Sequence, residues 1–382
     1  SDYEQNNPEK YVGVTQQTAY VWYTEDATSY TYGYADGINA ETTGNPKPLP
    51  EAIEPDNTIN NFVLHSKYMS GTYNRNGTTL MTCCSGVPVR YNVSHNSLIT
   101  APDTIGTYYS GGTVTDWSFL VWMSIIKYGS LTQDNINQGC LNYDIQAYAK
   151  VAEQDVKRII VSASDGAKFV VGSSIRIGSY TSTLDRANAS TYTISGANGY
   201  TIASIESIDI DGTTYSAIYV NADTAFTTEA NGDATDGTTF IITWHWVTGA
   251  NDNILGNDGA MYNPASGLYP ATIQGIEYSV GGYEVLADVI LRIVDNAYRP
   301  YIARLASYQS NNITSNMVVS ELSSALSGAI GWKYIKQLIW DGETFFAVNT
   351  TGATSSTFTR DAFYKVADTT ADGSNYEWLS FG

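Results

Sequence analysis

Aromatic residues recur at every second position near the start of this chain, short runs rich in Val, Ile and Thr fill its middle, and a helical period stands out in one stretch between them. Tyr20 and Trp22, then Tyr30, Tyr32 and Tyr34, alternate around the turn-prone Glu25-Asp26-Ala27-Thr28. That pattern predicts a hairpin with one aromatic face. Such a face needs a partner surface, either the hairpin's own domain or another subunit. Asn45-Pro46-Lys47-Pro48-Leu49-Pro50 and Pro55 then read as a stiff extended connector. Residues 1–54 are therefore expected to be an N-terminal attachment arm.

From Asn61 the pattern becomes domain-like, with buried strands expected at Phe62–His65 and Leu80–Cys84. Asp116 reads as the N-cap of a helix that carries Trp117, Leu120, Val121, Ser124 and Ile125 on neighbouring turns and closes at Gly129. Residues 150–246 change character. Val156–Val161, Phe169–Ile177, Thr201–Ile210, Tyr215–Asn221 and Phe240–Trp244 are short runs rich in Val, Ile and Thr. Asp211-Gly212-Thr213 turns two of them into a hairpin, and Val171-Gly172-Ser173 marks another corner. This is the pattern of a small β-barrel or sandwich inserted between residues 55–149 and 247–382. Beyond it, Gly275–Leu291 is expected to include a short helix that continues as a strand, and Ser320–Leu326 a further short helix. The fold class read from the pattern is α+β, mostly β with a few helices.

Composition changes the picture from an ordinary core to a contact surface. Thirty tyrosines stand against ten phenylalanines, and only 15% of residues are charged. Tyrosine offers a large ring and a hydroxyl at little entropic cost, which suits recognition and assembly. A net charge of −19 repels phosphate backbones and anionic lipid, so neither nucleic acid nor a membrane surface is expected as a partner. The longest strongly apolar run, Phe119–Ile126, is too short to span a bilayer. The opening Ser1-Asp2-Tyr3 shows no signal peptide, or one already removed. Cys83, Cys84 and Cys140 are too few for a disulfide scaffold; they read as buried thiols, or as one bridge from Cys83 or Cys84 to Cys140.

Candidate chemistry is sparse. His65, His95 and His245 are scattered, with no second His or Cys at helical or loop spacing, so each is read as structural. Asn251, Asp252, Asn253, Asn257 and Asp258 concentrate oxygen ligands in one loop, a composition that could hold Ca²⁺ or simply bond its own backbone. Asp209, Asp211 and Gly212 are a weaker case that a hairpin turn explains. Nucleophile-elbow, phosphate-loop and dinucleotide motifs are missing. Pairs such as Asp36 with Glu41, or Glu277 with Glu284, have no context that would make them an acid and a base. No enzyme is expected.

One resemblance is more specific. Trp244-His245-Trp246, Gly249-Ala250-Asn251-Asp252-Asn253-Ile254-Leu255-Gly256, Gly275-Ile276-Glu277-Tyr278 and Gly281-Gly282-Tyr283-Glu284-Val285-Leu286-Ala287-Asp288 follow one another in the order seen in bacteriophage virion proteins with a C-type-lectin-like fold. Arg299-Pro300-Tyr301-Ile302, Tyr334-Ile335-Lys336, Gly352–Thr357 and Glu377–Gly382 continue the series, and Phe62–Tyr68, Ser94-His95-Asn96-Ser97, Leu120–Cys140 and Val156–Ile160 extend it upstream. The chain so resembles a branch similar to formylglycine-generating, sulfatase-modifying enzymes and to the variable proteins of diversity-generating retroelements. Those enzymes act through a late cysteine pair, and no Cys follows Cys140 here, which argues against oxidase activity. The retroelement proteins carry their ligand contacts in a further C-terminal segment, expected about where this chain ends at Gly382. The resemblance implies a virion-surface protein, tail or head fibre or spike, that self-associates, most simply as a trimer, and joins other virion proteins. It would bind a host-surface glycan or protein. Tyr376 and Trp378 are its nearest candidates for ligand contact, and Tyr20, Trp22, Tyr30, Tyr32 and Tyr34 those for attachment. Capsid decoration is the alternative role.

Overall fold

The structure is a computed structural model. It describes residues 4–37, 46–54, 56–90, 93–106, 108–131, 145–184, 189–196, 198–244, 247–249, 252, 270–278, 283–294, 297–319, 331–334, 337–338, 348–349, 354, 356, 362–365 and 375–381. Within them the protein is mostly β, with few helices.

Strand β1 (Gly13–Gln17) is followed by a hairpin of β2 (Tyr20–Glu25) and β3 (Tyr30–Ala35), and the short β4 (Lys47–Pro48) adds to the free edge of β2. The predicted hairpin forms, but its register corrects the expectation of one aromatic face. Val21 lies opposite Tyr34 and Trp22 opposite Gly33, so positions 20 and 22 fall on one face and positions 30, 32 and 34 on the other. Gly33 is required by this packing: a Cβ there would sit 1.9 Å from the Trp22 ring. On the opposite face Val21 and Tyr34 pack inward with Leu49 and Phe119. The first segment is also tied to the body by strand pairing, since β1 runs antiparallel to β5 (Phe62–Ser66) from Gly13↔Ser66 to Gln17↔Phe62. Strands β6 (Gly71–Arg75) and β7 (Thr78–Thr82) follow as a tight hairpin.

Helix α1 (His95–Thr100) starts at an Ser94 cap, and α2 (Val114–Tyr128) is the helix that the apolar period predicts. Its N-cap is Thr113, not Asp116. Thr113 Oγ1 accepts from the Asp116 N–H, while Asp116 at the third helical position accepts from the Thr113 N–H, a reciprocal capping box. Gly129 closes the helix at φ 63°, as expected. Helix α2 buries Trp117, Phe119 and Trp122, and its Phe119 joins Val21, Leu49 and Ile276 in one cluster. Each such side chain contributes roughly 1.5–3 kcal/mol when fully buried.

A run of β-strands follows α2. Strands β8 (Gln146–Tyr148), β9 (Glu153–Val156), β10 (Arg158–Ser162), β11 (Ser174–Ser179), β12 (Tyr200–Ile210), β13 (Thr213–Val220), β14 (Phe226–Thr228) and β15 (Thr239–Thr243) belong to it. Six of them order as β10-β13-β12-β11-β15-β8, and β9 pairs with β14. The Lys150 N–H, just past β8, donates to Ile160 of β10 at 2.8 Å, so the sheet curls until its edges meet. Ile159, Val161, Ile175, Ile177, Ile218 and Ile241 fill the interior. The β12–β13 turn is Asp211-Gly212, both at positive φ, as a two-residue hairpin requires.

After the insert come the hairpin of β16 (Ala271–Ile273) and β17 (Ile276–Tyr278) and the long β18 (Tyr283–Val294), strand throughout its length with none of the helix expected there. Strands β19 (Ala297–Ile302), β20 (Val318–Val319), β21 (Gly331–Tyr334), β22 (Gln337–Leu338), β23 (Val348–Asn349), β24 (Ala362–Lys365) and β25 (Asn375–Phe381) complete the chain. A second six-stranded sheet orders as β20-β19-β18-β25-β24-β21, with β22 and β23 paired separately. The helix read at Ser320–Leu326 lies outside the described residues.

Candidate functional site

Strand β5 alternates cleanly. Phe62 and Leu64 are exposed, whereas Val63 and His65 face inward. Period two thus carries a histidine into the interior, 7% exposed, where its ring stacks on Phe119 of α2 at 5.2 Å and nearly parallel. The capping box brings the second group. Asp116 holds the helix start with one carboxylate oxygen, which accepts from Thr113 N and Oγ1, and its other oxygen lies 2.8 Å from His65 Nδ1. Glu51, in a 3₁₀ turn at Pro50–Ala52, brings the third. The donor atoms of Glu51, His65 and Asp116 all lie within 4.8 Å of one another.

The electrostatics of the three groups are interdependent. Burial alone would lower His65, but the hydrogen bond and charge of Asp116 outweigh it and hold the imidazole above its ordinary value. For Asp116 burial pushes upward, and the His65 and Thr113 contacts more than reverse it, so the carboxyl stays below the usual range. Glu51 has no such contact. Burial, reinforced by the Asp116 charge, pushes it up to about 8. Neither of its oxygens has a hydrogen-bond partner, and neither does His65 Nε2, although all three atoms are shielded from solvent.

These residues line an open cavity of about 690 Å³ together with residues of β5, α2, β17, β18 and the segment that includes Tyr108 and Tyr109. The buried acid Asp288 also borders it. Asp288 lies within a shift of register in β18, where Val285 pairs with Leu379 but Ile290 with Glu377. Both of its oxygens accept from the Val114 N–H at the start of α2, at 3.1 and 3.2 Å. Burial nonetheless raises Asp288 well above the usual carboxylate value, and the negative charges of Asp116 and Glu51 add to it. Asp288 and Asp116 are thus two acids at one helix start with opposite shifts, because only Asp116 has a cation beside it.

The residues singled out by sequence lie elsewhere. Of the oxygen-rich loop only Asp252 is described, and its carboxylate is engaged by Lys67 at 3.2 Å and by the Tyr68 hydroxyl; Asn251, Asn253, Asn257 and Asp258 lie outside the described residues. Asp209 accepts from the Gly212 N–H at 3.1 Å, the turn contact expected of it. Glu277, 3% exposed, accepts from the Gly249 N–H at 2.8 Å. His95 is bonded to Asn311 at 2.9 Å. His245 and Cys140 lie outside the described residues, and Cys83 and Cys84 are buried free thiols, with burial pushing Cys83 up to about 11. Tyr376 and Trp378 sit on β25, which lies between β18 and β24 in the sheet; Tyr376 pairs with Leu291 of β18. Sequence reasoning missed the Glu51–His65–Asp116 group because its members are 14 and 51 residues apart; the one available signal was the inward position of His65 in an alternating strand.

Compared with protein-family models, curated proteins and solved structures, the chain matches none. Among the described residues no helix is long and apolar enough to cross a membrane.

Proposed function

We propose that this chain is a non-enzymatic protein of a bacteriophage particle, a tail or head fibre or spike with a C-type-lectin-like body, which contacts a glycan or protein on the host cell. The observation that carries this reading is the ordered series of sequence blocks from Phe62 to Gly382, interrupted where the self-contained β-unit is inserted. A mostly β body and the tyrosine excess are in keeping with it. Repetition on a trimer would convert weak single contacts into avidity. Capsid decoration is the second reading, and one feature favours it: Ile59, Phe62 and Leu64 are 46%, 59% and 50% exposed along one short stretch, an apolar row suited to a neighbouring subunit.

Labelled antibody against the chain should decorate tails or fibres of intact particles and block adsorption to host cells. Antibody confined to the head, with adsorption unchanged, would leave decoration in its place. Light scattering at micromolar concentration should give a trimer mass, and a monomer would remove the multivalent part of the reading.

A further inference from the structure

We infer that Glu51, His65 and Asp116 form a binding site for one divalent first-row transition metal ion, of the zinc or manganese class, opening on the central cavity. Three observations converge on it. The first is the donor set. One imidazole and two carboxylates offer the mixed nitrogen and oxygen ligation that zinc, manganese and ferrous iron accept, and the imidazole discriminates against calcium and magnesium. The second is spacing. Donors about 2.1 Å from an ion lie roughly 3 Å apart when adjacent in an octahedral arrangement. The His65 nitrogen and Asp116 oxygen are already 2.8 Å apart, and the whole set lies within 4.8 Å, so a small movement of the Glu51 side chain closes the shell.

The third observation is what the group lacks. Both Glu51 oxygens are shielded from solvent, yet neither has a hydrogen-bond partner. Leaving buried carboxylate oxygens unbonded is costly, and a cation removes that cost. Asp116 is prepared as a ligand in a further way. Its second oxygen is fixed by Thr113 N and Oγ1, the outer-shell support that orients ligating carboxylates. Two carboxylates and a neutral imidazole leave a divalent ion with no net charge at the site. The remaining coordination positions face the cavity, where a polar ligand group or water completes the shell.

The test uses the full 382-residue chain. After incubation with Zn²⁺ or Mn²⁺ in excess Mg²⁺, which occupies exposed carboxylates, and exhaustive dialysis, elemental analysis should find one equivalent per chain. Either ion should also raise Tm by several degrees. Glu51→Gln keeps the shape and the neutral form of the side chain, so its metal-free Tm should equal or exceed that of the natural chain while the metal-dependent rise is lost. Should Glu51→Gln fail to fold, His65→Gln provides the same comparison. No retained metal and no rise in the natural chain would overturn the inference, as would an undiminished rise in a folded Glu51→Gln or His65→Gln variant.

Discussion

Asp288 shows how a single residue's surroundings decide its chemistry. Burial raises its carboxyl, Asp116 and Glu51 raise it further, and the Val114 N–H only partly compensates. A folded-state pKa above the unfolded one means that the group's contribution is fully present below the unfolded value of about 3.9 and is lost as pH rises towards the folded value. Asp288→Asn cannot ionise and can still accept from Val114. Its stability relative to the natural chain should therefore improve by about 1.4 kcal/mol per pH unit across that window. Urea midpoints for both chains at about pH 5 and about pH 8 check this, since the window opens above the unfolded value; an advantage that does not grow with pH would refute it. His65 makes a related point. A lone histidine reads as structural from local spacing, and its environment came from residues that no local window contains.

At the scale of elements, the capping box links stability to the site. Thr113→Ala removes the Oγ1 acceptor of the Asp116 N–H and one contact to the Asp116 carboxylate, at a cost of about 1 kcal/mol. Chemical denaturation should show that loss, with the slope of the transition unchanged. The apolar period predicted this helix and Gly129 its end, yet the cap was misplaced by three residues. Asp is a good cap by type, and only the preceding Thr113, extended at φ −114°, decides which residue bonds back. The hairpin of β2 and β3 was legible for the same local reason, while its faces were not. Alternation within each strand fixes which residues share a side, but the register between strands fixes whether the two sets coincide.

At the scale of the whole molecule, the β-unit of β8 to β15 has its own interior and, among the described residues, its strands pair with one another. Residues 145–244 expressed alone should therefore give a β-type circular dichroism spectrum and one cooperative melting transition. A broad, featureless melt would show that the remainder of the chain supplies its stability. By contrast, residues 4–54 are unlike a free arm. Val12 packs with Tyr68 and Cys84, β1 pairs with β5, and the Gln5 side chain meets Lys67 and Tyr68. Two tyrosines of this start, Tyr34 and Tyr11, pack on the body itself.

Local pattern alone was enough for the β-rich class, the Asp211-Gly212 turn and the helix α2. These rest on periods and turn residues within a few positions of one another, where local sterics dominate. Only the tertiary structure decided which hairpin face turns inward, where the long strand β18 runs, and that Glu51, His65, Asp116 and Asp288 border one cavity. Long-range pairing sets those distances, and no short-range pattern encodes the spacing of groups that meet across 51 or 174 residues.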